Sequence, residues 1–218
     1  MKFRVGIVLV VTAALGSSCA TKTVAPLVSG TAPAANSPAN AVRRFEWAFD
    51  HEDAAMVRDL LTDDFLFIAA STDSAGNPSR IPHDRSWFSL ALAAMMDSST
   101  SVSLLLDRNL IAFPDTRPGR EPRFHKQIRS SMDLKIRIDS ENTLEVTGNA
   151  LFFLTRGDSA AIPRELRARG ARPDSTTWWL DRFEDETLGA AGAPADTNPS
   201  RGLGLRWLLE YFYSRIAH

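Results

Sequence analysis

Two alternating segments restrict this chain more than any other feature. Ile128, Met132, Leu134, Ile136 and Ile138 share one parity while Gln127, Arg129, Asp133, Lys135 and Arg137 share the other, the period of a strand with one buried face. Glu141-Asn142 marks a turn. Leu144, Val146, Ala150, Phe152 and Leu154 then repeat the pattern, which predicts a hairpin. Val102, Leu104 and Leu106 predict an earlier strand, and Thr176 to Phe183, with the neighbours Trp178 and Trp179 facing opposite sides, a later one.

The chain ahead of these strands reads as helical. Ser37-Pro38 pairs a capping hydroxyl with proline at the first helical position, and Val42, Phe45 and Phe49 recur at helical spacing. Asp53 is placed to cap a short second helix with Val57, Leu60 and Leu61. Asp84 is placed to cap a third with Phe88, Leu92, Met95 and Met96. Between them Phe65 to Ile68 reads as a short strand and Ser71 to Pro82 as a loop, so three helices are expected before any long strand. Pro114 to Pro122 reads as a proline-rich loop, and Pro163 to Gly170 as an arginine-rich turn. Beyond a Gly/Ala/Pro-rich stretch from Gly189 to Gly204, Leu205, Leu208, Leu209, Phe212 and Ile216 form a closing amphipathic stripe. The expected class is α+β, with helices packed in an antiparallel sheet.

The first residues have the layout of a secretory signal: Lys2 and Arg4, an apolar run from Val5 to Leu15, then Gly16, Ser17 and Ser18. The run is shorter than the roughly 20 apolar residues that a spanning helix needs. Cys19, the sole cysteine, follows immediately, and the segment resembles a bacterial lipobox, with Gly16 where a large aliphatic residue is favoured. Cleavage after Ala20 is the competing expectation. The domain plan is therefore a signal over 1–19, a tether over 20–36, an α+β domain over 37–187, and a loop with a C-terminal helix over 188–218. Localisation is expected in the cell envelope, anchored to a membrane through an N-terminal lipid, with a soluble exported form as the alternative.

The segments Ala41 to Asp50, Asp53 to Leu61 and Thr62-Asp63-Asp64-Phe65 together resemble the start of the nuclear transport factor 2-like superfamily, which includes SnoaL-like proteins. The resemblance covers about Ser37 to Thr187. It implies a cone-like α+β barrel, a curved sheet around helices with a cavity open at one end, in a superfamily holding isomerases, dehydratases, cyclases and non-catalytic modules. No catalytic set of that superfamily transfers to this chain. On that implied cone, Trp47, Phe67, Phe88, Met132 and Trp178 are the candidates for lining a ligand pocket.

Candidate chemistry is sparse. Asp63 and Asp64 are adjacent carboxylates, and Asp64 is a candidate proton-transfer group if buried, against a plain turn role. Among the histidines, His51, His83, His125 and His218, no two have metal-site spacing. His125 is the other acid-base candidate, although its parity puts it with Arg129, opposite the apolar set. A formal charge of −1 argues against nucleic-acid binding. No cofactor and no metal is expected. Arg156-Gly157-Asp158-Ser159 matches an adhesion tetrapeptide that turn chemistry also explains.

Apolar residues on both faces near Leu151 to Leu154 call for a cover on the outer sheet face. Two are expected as candidates: a second copy of the chain, giving a homodimer, or the C-terminal helix. The functional expectation is an envelope protein binding a small apolar ligand or a protein partner. The alternatives are a cofactor-independent isomerase, dehydratase or cyclase, and a structural dimerisation module.

Overall fold

Side-chain caps fix three helix starts. Ser37 Oγ accepts the Asn40 N–H at 3.1 Å ahead of α1 (Pro38–Asp50), and Asp53 Oδ1 accepts the Met56 N–H at 2.8 Å ahead of α2 (Ala54–Leu60). Asp84 Oδ1 accepts the Trp87 N–H at 2.8 Å ahead of α3 (Arg85–Asp97). Each satisfies an amide that the helix leaves unpaired. The computed structural model describes residues 30–72, 78–157, 161–172, 176–187 and 204–216. The signal-like run, Cys19, most of the tether, Asp158, Ser159, the 189–203 stretch and His218 lie outside the described residues. From Ala32 onward the chain forms one compact unit.

The strands are β1 (Leu61–Thr72), β2 (Pro78–Asp84), β3 (Ser101–Leu106), β4 (Phe113–Pro114), β5 (His125–Arg137), β6 (Thr143–Arg156) and β7 (Trp178–Asp185). They form one sheet in the order β2-β1-β7-β6-β5-β3, with β4 paired to β5. The expected hairpin of β5 and β6 forms, with Leu134 opposite Val146 and Ile128 opposite Phe152. Three expectations are corrected. β1 and β7 run parallel, so the sheet is mixed. A long strand, β1, precedes α3, and part of the expected 71–82 loop is strand β2, hydrogen-bonded to β1 with Phe67 opposite His83.

Helices α1 and α3 lie on one face of this sheet, α1 against β3, β5 and β7, and α3 against β1 and β2. The inner parity of β5, with Ile128, Leu134 and Ile136 fully buried, faces them. Phenylalanine rings fill the space between. Phe183 stacks on Phe152 at 5.0 Å and 8°, and lies 5.5 Å from Phe67 and 5.8 Å from Phe45. The last described helix, α5 (Leu205–Ser214), packs on α3 and buries Leu205, Leu208, Leu209 and Phe212 in the same core.

The C-terminal helix therefore does not cover the outer face. Its apolar stripe is spent against α3. The cover over Phe153 is the segment leading from β4, whose Arg117 guanidinium sits 4.1 Å from the ring centroid. Arg117 is held there by Asp115 at 2.7 Å and Asp181 at 2.5 Å. Burial works to raise the Asp115 carboxyl, but its bonds to Arg117 outweigh it and hold the group below the usual carboxylate range.

The edge strand β3 is closed from the side. Its outward amides at Leu104 and Leu106 donate to Asp50 Oδ1 at 2.9 Å and Glu46 Oε1 at 2.8 Å, both on α1. Glu52, at φ 54°, supplies a third acceptor to Val102 at 3.3 Å. Pairing of this edge with another strand is thereby blocked.

Candidate functional site

The titratable groups of the inner face gather where β1, β2, β7, α3 and α5 meet. His83 on β2 points inward, as its register with Phe67 requires. The Trp87 ring, in the first turn of α3, stacks on it at 3.7 Å, and Tyr213 of α5 lies 5.6 Å from Trp87. The Nε2 of His83 is buried with no hydrogen-bond partner among the described residues. Burial lowers its pKa and Arg206 adds to that, while Glu210 and Asp84 oppose it.

Asp185 ends β7 on the same face, between Ala69 of β1 and Ala150 of β6. Its Oδ1 accepts the Thr187 amide at 2.9 Å and the Thr187 hydroxyl at 2.5 Å, and its Oδ2 accepts the Arg206 amide at 3.3 Å. The Thr187 hydroxyl in turn accepts the Leu205 N–H at 3.0 Å. Gly204, at the N-cap of α5, has no side chain to offer. Asp185 and Thr187 take over that duty and clasp the helix N-terminus, where a carboxylate is also favoured by the helix dipole. Burial nevertheless dominates the Asp185 carboxyl and pushes its pKa up to about 6.

The residues singled out in the sequence fall elsewhere or into packing. Asp64 is exposed on β1. Asp63 accepts the Arg164 N–H at 2.8 Å and pairs with Arg167 at 2.9 Å, and so caps the short α4 (Arg164–Ala168). His125 stands on the outer parity, its Nδ1 3.1 Å from both the N and the O of Glu121, within a turn of the β4–β5 connection. The structure brings neither into the interior with His83 or Asp185.

Of the pocket candidates, Phe67, Phe88, Met132 and Trp178 are core side chains. Phe67 and Phe88 pack on each other at 5.2 Å. Trp178 lies under Arg156 at 5.1 Å, and Trp47 stacks on His51 at 3.6 Å. Of these five residues Met132 also lines the first of two surface clefts, and the other four line neither. One, of about 450 Å³, runs over the outer face along Leu105, Asp107, Arg108, Ser131, Asp133 and Thr147. The other, of about 400 Å³, lies between Ala34-Ala35, Asp59, Leu166 and Trp179. Among the described residues no group of three or more acids, histidines or cysteines is arranged to hold a metal.

Sequence reasoning passed over His83 and Asp185. His83 lies between the expected 71–82 loop and the Asp84 cap, where no periodic pattern places it, and Asp185 sits in a run of acids whose partner helix lies far along the chain. The one available signal was the Asp-x-Thr spacing of Asp185 and Thr187, suited to a local side-chain bond.

No protein-family model matches the chain, and no curated protein matches it. Solved structures that are similar include a nuclear transport factor 2-like superfamily protein from Salmonella enterica, at 15% identity over 75% of this chain and 92% of that one, with a TM-score of 0.43. A variant of a protein of unknown function from Mycobacterium tuberculosis is similar at 13% identity over 80% of this chain and 85% of that one, with a TM-score of 0.49. A nuclear transport factor 2-like protein of unknown function in nutrient uptake from Rhodospirillum rubrum is similar at 14% identity over 67% and 93%, with a TM-score of 0.43. Each is a likeness of overall architecture and transfers no residue role.

Proposed function

We propose that this chain is an exported, lipid-anchored envelope protein whose α+β domain recognises a protein partner on its outer surface, and that it does not hold a small molecule in its interior. The filled interior carries this reading. Phe45, Phe49, Phe67, Phe88, Phe152 and Phe183 are all at most 2% exposed and interlock where a conical cavity would lie, and α5 buries its own apolar stripe against the same core. The outer cleft offers what the interior lacks. Leu105 in it is 63% exposed, with Ile111 and Phe113 also exposed on the segment running to β4, apolar anchors beside polar groups of the kind that bind proteins.

A photo-crosslinking residue at Leu105 in the exporting cell should give one discrete adduct, lost when Asp133→Lys is added. A second copy of the chain is one identity that the adduct mass would reveal. A small molecule co-purifying with the mature domain, or no adduct at Leu105, would sink the reading. For the anchor, Cys19→Ala should release the protein from membranes; unchanged association would count against lipidation.

A second reading, an acid-base enzyme, is favoured by the buried Nε2 of His83 and the raised carboxyl of Asp185. It would use those two groups and requires α5 to leave. Hydrogen exchange in residues 204–216 as slow as in β5 would exclude it.

A further inference from the structure

The chain enters the folded unit on an arginine-rich face. The Pro33 carbonyl accepts from Arg44 at 3.1 Å, and the Ala35 carbonyl accepts the Trp178 N–H at 2.7 Å, which pins the entering segment to the fold. Ala34 and Ala35 share a cleft with Leu166 of α4. Around Leu166 stand Arg164, Arg167, Arg169 and Arg172, all exposed. Among the described residues the carboxylates nearby are Asp59, Asp63 and Glu165, of which Asp59 is engaged by Arg58 at 3.3 Å and Glu165 by Arg85 at 3.1 Å. Arg169 and Arg172 have no carboxylate partner among the described residues. In a chain of formal charge −1, this is a segregation of positive charge, not a general excess.

The geometry points to α4 and the residues from Arg169 to Arg172 as a docking face for anionic phospholipid, which lays the domain on the membrane that anchors it. This rests on the anchoring part of the proposed function. Only residues 20–31 separate Cys19 from the compact unit that begins at Ala32, and a stretch of that length spans at most about 45 Å even when fully extended, so a lipid on Cys19 keeps the arginines of the entry face within reach of headgroups. Charge complementarity then decides orientation. An anionic leaflet attracts arginines near its surface and the attraction fades within a Debye length of about 8 Å at physiological salt, so a face held at the surface feels it and the far side of the domain does not. Guanidinium groups also pair bidentately with phosphate.

The test uses the chain from Ala20 onward without acylation, which contains the whole compact unit from Ala32. Sedimentation with vesicles of phosphatidylcholine alone and of phosphatidylcholine with phosphatidylglycerol should show binding only to the second, weakening between 50 and 500 mM salt, concentrations of roughly 14 Å and 4 Å screening length. Arg169→Gln with Arg172→Gln should weaken it by about twenty-fivefold, near fivefold for each arginine. Arg129→Gln with Lys135→Gln, an equal charge change on the outer face of β5, should leave it unchanged. Equal binding to both vesicles, equal loss in both variants, or binding to a duplex oligonucleotide as tight as to the anionic vesicle would each overturn the assignment. Because the probe chain carries no lipid, these outcomes do not depend on Cys19. Membrane association of Cys19→Ala that persists after Arg169→Gln and Arg172→Gln are added would overturn lipidation alone.

Discussion

The Asp50 carboxylate, at the end of α1, accepts the backbone N–H of Leu104 on edge strand β3 at 2.9 Å. A helix side chain thus supplies the hydrogen bond that a neighbouring strand would otherwise make. Asp50→Ala should cost about 1–3 kcal/mol, the penalty for leaving a part-buried amide unpaired, and should expose a pairing edge. Asp50→Asn keeps an acceptor oxygen and should lose less. Denaturant melts report the first effect, and sedimentation velocity the self-association expected only for the alanine variant.

Asp185 should make stability depend on pH in an unusual direction for an aspartate. Its folded pKa of about 6 lies above the ordinary 3.8, so the folded state holds a proton that the unfolded chain has released. The stabilisation is full below pH 3.8 and is lost as pH rises through about 6, on the order of 3 kcal/mol in all. Asp50, also raised by burial, acts with the same sign. His83 acts oppositely, since its lowered pKa means that stability falls as pH drops below its unfolded value of 6.5. Asp185→Asn should flatten the interval between pH 4 and 6 relative to the native chain, as read from denaturant midpoints; an unchanged slope would refute this assignment.

Gly148 on β6 lies against Thr187. A Cβ there would come 2.7 Å from the threonine methyl and 3.0 Å from its Cα, so backbone must move. Gly148→Ala should destabilise by about 1–3 kcal/mol, the cost of overpacking. It should also speed hydrogen exchange at the Leu205 and Arg206 amides, because Thr187 is half of the clasp on α5. Thr187→Ser, which keeps the hydroxyl and removes the methyl, should restore much of the loss in the double variant.

Phe183 touches Phe45, Phe67, Phe88 and Phe152. Phe183→Ala should cost about 3–5 kcal/mol and leave an apolar void in an interior that is otherwise filled. Benzene or xenon should raise the melting temperature of this variant and leave that of the native chain unchanged. A rise in the native chain would instead reveal a cavity and revive a ligand-binding interior.

Local chemistry carried most of the fold. Ser37, Asp53 and Asp84 announced their helices because a cap needs only its own next three residues, and β3, β5 and β6 were visible because one wet face makes a strand alternate. Strand β2 was hidden because Pro78, Pro82 and charged Arg80 and Asp84 interrupt any such pattern, as suits a sheet edge. The parallel pairing of β1 with β7 left no local trace. The candidate site suffered most, since His83 and Asp185 acquire their character from α5, a partner that no window around either residue contains.

The place of β7 in the sheet sets the order in which the molecule can assemble. It lies between β1, formed from the first residues of the sheet, and β6, so the β5–β6 hairpin and the β1–β2 pair remain two separate ribbons until that late segment joins them. Closing so large a loop is entropically costly and slow. The two half-sheets thus share hydrogen bonds only through β7, the last strand among the described residues.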